Sequence, residues 1–390
     1  MNYKTISKEI IKSLQFLKKK EFIPLHEPEL DSEDIKMVKK CIQSSYISSV
    51  SHFTNEFEKK IKNLTKSKYS IAVINGTSAL QIAIKACGVK KGQEVLIPNL
   101  NYIGSSNATI YCGAIPHFVD VESNSFGIDT LKLDKYLKKI SYIKKNLLIN
   151  RYTKRVIKAV IPTHIFGNSA RIDNILKIAK KFHLKVIEDA SECVGSYYKG
   201  KHLGTFGDAG VLSFNGNKII TTGGGGAIIT NNKKIYNESL NLSTINRKKN
   251  SGWNYDYSDI GYNYRLPGIN SSLGISQLKK LPKIILKKRK INLKYKALFS
   301  KSKFFKLVHE PKNNKSNNWL NTLFIFNSSL KLRDKIIIEI NKKGVGVRPV
   351  WKLMHKIKHL SKFPKMSLNN SILLEKSLIN LPSSSNLSEK

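Results

Sequence analysis

The sequence predicts an α/β fold, with a mostly parallel sheet in a large domain and a smaller α+β domain at the C-terminal end. Three observations predict it. Short apolar runs alternate with segments of helical spacing between Ser70 and Thr230, the pattern of strands covered by helices. From about Asn270 the texture changes to long basic helical stretches, then one further strand and helix. At 390 residues the chain is long enough to bury two cores. The expected division is a basic N-terminal extension over 1–22, a large domain over 23–268 and a small domain over 269–390.

The stretch MNYKTISKEIIKSLQFLKKK reads as an amphipathic basic helix and lacks the apolar centre and cleavage site of a secretory signal, so the cytoplasm is the expected compartment. Ser70–Ile74 is a strand, and NGTSALQIAIKACG is a turn and helix, with Leu80, Ile84 and Cys87 at helical spacing and Gly88 as the stop. Strands follow at Glu94–Ile97, Ile115–Val119, Val156–Ile161, Lys185–Glu188 and Gly210–Ser213, with helices at Ile103–Tyr111 and Ile172–Phe182. The Lys-rich insertion Lys138–Lys154 reads as a surface excursion. In the small domain SSLGISQLKKLPKIILKKRKINLKYKAL reads as long basic helices, Thr322–Phe326 as a strand, Arg333–Lys342 as a helix and PSSSNLSEK as a frayed tail.

Composition removes several function classes. Hydrophobic content of 41% with 9% aromatics argues against disorder or a fibrous repeat. The longest apolar runs fall far short of the roughly 20 residues of a membrane span. Cys41, Cys87, Cys112 and Cys193 lie far apart without a C-x-x-C pair, against a zinc knuckle or a disulfide framework. The 68 Lys+Arg less 27 Asp+Glu give a net charge of +41. That charge raises the alternative of a nucleic-acid-binding regulator, whose binding would fall steeply with salt. Nucleic acid is the less favoured partner, because the lysines are spread along the chain with no helix-turn-helix or RNA-binding signature.

The stretch VLSFNGNKIITTGGGGAIIT, Val211–Thr230, sets Lys218 between a strand and four glycines. Asp189 ends the apolar strand of VIEDASECVGS, where open α/β sheets place ligand-binding groups, or else caps the following turn. A lysine that joins pyridoxal phosphate (PLP) as a Schiff base needs a carboxylate at the pyridine nitrogen, and Asp189 and Lys218 flank the strand Gly210–Ser213. A cofactor phosphate needs amides and hydroxyls at a helix N-terminus. Gly76, Thr77 and Ser78 of NGTSAL supply them, or form an ordinary cap, and Ser213 offers a further contact. GGGG precedes the strand AIIT, whereas a dinucleotide fingerprint follows a strand and opens a helix.

PNLNYIGSSNA, IEDASECVGS, SFNGNKIITTGGGGAI and GYNYRLPGINSSLGISQL, in this order, resemble the DegT/DnrJ/StrS family of PLP-dependent sugar-nucleotide aminotransferases, from Ile23 onward. FIPLHEPEL, SSYISSV, Glu192 and RPVWKLMH are most similar to the LegC-type enzymes of legionaminic acid and related diamino-sugar pathways. The resemblance implies the aspartate aminotransferase-like, type I PLP-dependent transferase fold and a homodimer with shared active sites. It implies Lys218 as the Schiff-base lysine and proton shuttle, Asp189 at the pyridinium nitrogen, and Tyr102 stacked on the ring. Gly76, Thr77 and Ser213 would hold the phosphate, reached by Asn263 from the second subunit, and Glu192 would lie near the 3′-oxygen. The implied substrates are L-glutamate and a UDP-linked 4-keto-6-deoxy-2-acetamido sugar aminated at C4. Arg265 and Arg348 are candidates for anionic substrate groups or for structural ion pairs. His164 and His355 are candidates for the pocket or for satisfied core positions. Presence of both Lys218 and Asp189 argues against a PLP fold kept only as a scaffold.

Overall fold

A computed structural model describes residues 2–17, 21–248, 253 and 255–388. Its strands, in chain order, are β1 Tyr69–Val73, β2 Glu94–Pro98, β3 Ile115–Val119, β4 Ser141–Lys144, β5 Leu147–Asn150, β6 Val156–Val160, β7 Lys185–Asp189, β8 Tyr197–Tyr198, β9 Lys201–His202, β10 Ala209–Ser213, β11 Gly226–Thr230, β12 Phe305–Leu307, β13 Asn314–Lys315, β14 Asn321–Ile325, β15 Arg348–Pro349 and β16 Leu378–Leu381. The helices are α1 Tyr3–Ser13, α2 Ser32–Gln43, α3 His52–Thr65, α4 Gly76–Ala86, α5 Gly104–Tyr111, α6 Thr130–Ile140, α7 Ile172–Lys181, α8 Lys233–Ser243, α9 Gly268–Phe299, α10 Leu330–Lys342 and α11 Asn369–Ser377. The strands and helices expected from Ser70 onward are all present, with ends moved by at most three residues. The α1 helix covers part of the expected N-terminal helix, and α2, α3, α6, α8, α11, β4, β5, β8, β9, β12, β13, β15 and β16 are elements for which the sequence raised no expectation.

The large sheet runs β1-β11-β10-β7-β6-β2-β3. Along that path β10, β7, β6, β2 and β3 are parallel, and β11 is antiparallel to both of its neighbours. Every residue of β2, β10 and β11 is buried. Continuous apolar strands of this kind are what a sheet covered on both faces requires.

Two segments depart from the sequence expectation. The insertion Lys138–Lys154 lies at the surface, with β4 exposed over Tyr142–Lys144, but it is built as regular structure: β4 and β5 form a hairpin, and β5 pairs with β6. It is anchored by polar side chains that the hydrophobic pattern does not reveal, since Asn150 Nδ2 and Thr153 Oγ1 both donate to the fully buried Glu94. The tail is not frayed over its described part. Ser383 N donates to Leu25 O, Ser383 to Ser385 are buried, and Leu387 is 1% exposed. The long basic stretches after Asn270 form one continuous helix, α9, which carries Pro282 in its interior.

The smaller sheet is antiparallel throughout, in the order β12-β14-β16-β15. Its core joins Leu323 and Ile379 to Ile336 and Ile340 of α10, Ile291 and Tyr295 of α9, and Ile6 and Ile10 of α1. The α1 helix therefore packs its apolar face on α10, and Ile23 bridges Val345 in parallel. A three-stranded ribbon β13-β8-β9 links the two sheets.

His164 and Glu188 show how a polar pair sits inside the large domain. Glu188 Oε1 accepts from the amides of Phe206 and Gly207, and Oε2 from Gly204 N and His164 Nε2. His164 Nδ1 accepts from Ala170 N at 3.1 Å, so the ring proton lies on Nε2 and points at the carboxylate. Both residues are fully buried and satisfied. Glu188→Gln turns an amide donor toward N–H groups that need an acceptor, and is expected to lower stability by about 3 kcal/mol in urea unfolding, with little change in slope.

Candidate active site

The carboxyl ends of β1, β2, β7 and β10 point to one edge of the sheet, where open α/β folds gather ligand-binding groups. After β1 the chain turns at Asn75 into α4. Asn75 Oδ1 accepts from Ser78 N at 2.8 Å, leaving the amides of Gly76 and Thr77 in the helix's first turn without an intrahelical acceptor. A Cβ on Gly76 would lie 3.1 Å from Ser213 Cβ, 3.3 Å from Ser213 Oγ and 3.4 Å from Ser191 Oγ. Backbone amides, the dipole of α4 and two hydroxyls thus converge on a cradle suited to a phosphate. Tyr102 stands beside it, 58% exposed. A Cβ on Gly104 would meet Thr77 Oγ1 at 3.2 Å and Tyr102 Cδ1 at 3.3 Å, so hydroxyl and ring approach one point. Both line a cavity of about 330 Å³ with Ser78 and Tyr264.

Asp189 ends β7 and is buried. Its Oδ2 accepts from Ser105 Oγ at 2.7 Å and its Oδ1 from Ser191 N at 3.2 Å. Asn101 Nδ2 in turn donates to Ser105 Oγ and Thr163 Oγ1, which fixes the serine that orients the carboxylate.

Lys218 lies in the loop between β10 and β11, its N–H on Asn215 O. Its Nζ is 3.5 Å from Glu192 Oε1 and 4.1 Å from the ring centroid of Trp319. Trp319 Nε1 donates to Asn217 O at 2.8 Å, tying the ring to the residue before the lysine. Glu192 Oε2 accepts from Phe166 N at 2.7 Å. Burial pushes the Glu192 carboxyl up to about 7, opposed by Lys218 and the Phe166 amide and helped by the charge of Asp189.

Three of the four glycines have separate reasons. Gly223 has φ of +79°, in the region where a side chain is strained. A Cβ on Gly225 would lie 2.1 Å from Thr222 Oγ1, and one on Gly226 would lie 2.6 Å from both C and O of Asn75. Gly224 meets nothing closer than 3.7 Å, and the structure gives no reason for glycine there. Gly226 is paired with Ser213 on one side and Val73 on the other, so the strand returning from the lysine loop is pressed against the turn that forms the cradle.

Other sequence candidates fall elsewhere. Asn263 is exposed, its backbone bridging Thr244. Arg265 is occupied as a structural ion pair: its Nη1 donates to Glu58 Oε1 at 2.5 Å and to Ala72 O at 3.2 Å. His164 is the satisfied core residue described above. His355 holds its Nδ1 3.0 Å from Asn99 Oδ1, and burial and Lys356 lower its pKa. Arg348 is exposed and lines a cavity of about 540 Å³ with His26, Asn217, Trp319 and Trp351. Sequence reasoning missed Ser105, Ser191 and Trp319. Ser191 follows Asp189 closely and could have been found as a hydroxyl beside the strand end, whereas Trp319 comes from 101 positions beyond Lys218 and has no local signal.

An amine, a serine-held carboxylate and a phosphate cradle on the carboxyl edge of such a sheet define a PLP-dependent enzyme of fold type I, and the donor set present fits that cofactor. The chain belongs to the DegT/DnrJ/EryC1/StrS aminotransferase family, matched over residues 28–390. It is a PLP-dependent aminotransferase. It is 32% identical over 329 residues to a GDP-perosamine synthase of Caulobacter vibrioides, covering 84% of each chain. It is 29% identical over 354 residues to a UDP-4-amino-4,6-dideoxy-N-acetyl-beta-L-altrosamine transaminase of Campylobacter jejuni, covering 90% of each. Among solved structures, Helicobacter pylori PseC, an aminotransferase involved in the biosynthesis of pseudoaminic acid, superimposes with a TM-score of 0.85 at 26% identity, over 94% of this chain and 95% of that one.

Gly226→Ala forces the Asn75–Gly76 turn away and is expected to weaken PLP binding at least about tenfold, about 1.4 kcal/mol, by fluorescence titration, while far-ultraviolet circular dichroism stays unchanged. Glu192 has a folded pKa above its unfolded value, so its contribution to stability is full below about pH 4.5 and is lost as pH rises through about 7. Glu192→Gln is expected to flatten that part of the stability profile of the cofactor-free protein, measured by urea unfolding at a series of pH values.

Proposed function

We propose that the chain moves an amino group from L-glutamate to the C4 keto group of a UDP-linked 4-keto-6-deoxy-2-acetamido sugar, as a homodimer. The observation that carries the reaction type is the Lys218 amine, held between Glu192 and the Trp319 ring at the sheet edge that also holds Asp189 and the Gly76 cradle. The name of the Campylobacter transaminase supports a UDP-linked 4-amino-4,6-dideoxy N-acetyl product. The GDP-perosamine synthase keeps a GDP-linked sugar as the competing substrate.

PLP, when bound, supplies an electron sink for the carbon that gains or loses the amino group. Asp189 would hold a proton at the pyridine nitrogen, with its carboxylate fixed by Ser105. Gly76, Thr77, Ser78 and Ser213 would hold the phosphate, and Tyr102 would lie against the ring. Lys218 would hold the cofactor through its amine and would move a proton to and from the carbon that gains or loses the amino group. Glu192 shares a proton at the ring oxygen, which its raised pKa allows near neutrality. The exposed Asn263 and Tyr102 leave room for a second copy, whose Asn263 completes the phosphate contacts.

The test is an absorption spectrum with PLP before and after L-glutamate. The visible band of the lysine-linked cofactor is expected to give way to the pyridoxamine phosphate band, and UDP- and GDP-linked 4-keto sugars then identify the acceptor by restoring it. A band that glutamate leaves unchanged would sink glutamate as donor. Lys218→Ala is expected to keep the dimer and its melting temperature but to lose the glutamate reaction by about 1,000-fold. Undiminished turnover in that variant would remove Lys218 from its role.

A further inference from the structure

Lys288, in α9, is 1% exposed, and burial alone lowers its pKa to about 7. No carboxylate among the described residues pairs with it. Its Nζ donates to the main-chain carbonyl of Trp319 at 3.1 Å and to that of Ser383. A neutral amine has two N–H groups, and two carbonyls accept them. An ammonium would add a third N–H and a full charge, and among the described residues Lys288 has neither a third hydrogen-bond partner nor a counter-ion.

The carbonyl that Lys288 holds belongs to the residue that carries the Lys218 amine. Trp319 N donates to Asn317 Oδ1, and Asn317 Nδ2 donates to Glu192 O and Val194 O. Trp319 Nε1 donates to Asn217 O, next to Lys218. The indole is thereby fixed to both segments that bring Glu192 and Lys218 together, and its main chain is fixed to α9 by Lys288. The groups facing this wall are His26 from the segment before α2, Lys218, Glu192, and Tyr295, whose hydroxyl donates to Pro382 O. His26 lies with its ring 6.4 Å from that of Trp319. Burial, Lys288 and Lys218 all lower its pKa.

We propose that Lys288 is a positioning residue for Lys218: its amine clamps the Trp319 carbonyl and so fixes the ring on which the Lys218 amine rests. This role rests on the reading of Lys218 as the reacting amine. Protonation places a cation behind the same indole, against the cation–π contact of Lys218. The sign follows from the depressed pKa: the stability Lys288 contributes is full above the ordinary lysine range and is lost as pH falls toward about 7.

The chain contains three tryptophans, so 5-fluorotryptophan labelling gives three fluorine signals, with that of Trp319 assigned from Trp319→Phe. In the cofactor-free protein the Trp319 signal is expected to titrate with a midpoint near neutrality. Glu192→Gln should keep that step and Lys288→Met should abolish it. With PLP bound, Lys288→Met is expected to slow the glutamate reaction at least about tenfold. Lys288→Arg, which cannot become neutral, should fail to restore it. A wild-type signal that stays flat from about pH 6 to about 9, a titration that persists in Lys288→Met, or full rescue by arginine would overturn the proposal. If Lys288→Met does not fold, the wild-type titration and the arginine variant decide. A fluorine titration in a protein that does not react with glutamate would leave the clamp standing and sink the reading of Lys218 instead.

Discussion

The constraint on which the rest of the site depends is the return of the chain after Lys218. Leaving β10 at Ser213, the backbone passes through the lysine loop and re-enters the sheet as β11, antiparallel between β10 and β1. Only a residue without a side chain fits at Gly226, where the backbone of Asn75 is 2.6 Å from where a Cβ would stand. This one close approach places the start of α4 beside Ser213 and puts the lysine loop over the same sheet edge. Cradle and amine are therefore two results of one strand insertion.

Electrostatics then sorts the groups that the backbone collects. Asp189 is met by donors from Ser105 and Ser191, which occupy both of its oxygens. Glu192, in the loop that follows, receives one amide and faces Lys218 across 3.5 Å. Burial dominates there and raises its pKa. Two acids at one strand end thus meet different surroundings, a difference of the kind that lets neighbouring carboxyl groups take distinct roles.

Much of this was legible in the sequence, for a physical reason. Strand, turn and helix in Tyr69–Ala86 are local patterns, and Lys218, Asp189 and the Gly76 turn sit at element ends that periodicity and turn chemistry locate. What was not legible depends on partners far along the chain. The β4–β5 hairpin is held by Asn150 and Thr153 on Glu94, 56 and 59 positions away, and no apolar alternation announces it. The tail PSSSNLSEK looked polar and loose because its serines serve as internal hydrogen-bond groups, as Ser383 does for Asn321 and Leu25. Arg265 has the composition of an anion ligand, and only the fold shows that Glu58 has taken it.

The large positive charge becomes intelligible when the acids are followed to their positions. Glu94, Asp120 and Glu188 are fully buried, and Asp189 and Glu192 nearly so. Each accepts hydrogen bonds from buried or part-buried donors, such as those from Ser371 N and Asn370 N on Asp120. A lysine in any of these places would meet donors and no acceptor. The surface has no such requirement, so an excess of lysine there costs little beyond self-repulsion, which salt screens over about 10 Å. The result is a basic exterior around an interior that keeps its carboxylates where donors converge. An anionic sugar nucleotide of the proposed kind would approach through that field, which acts on encounter, while the reaction depends on the few buried acids and amines inside.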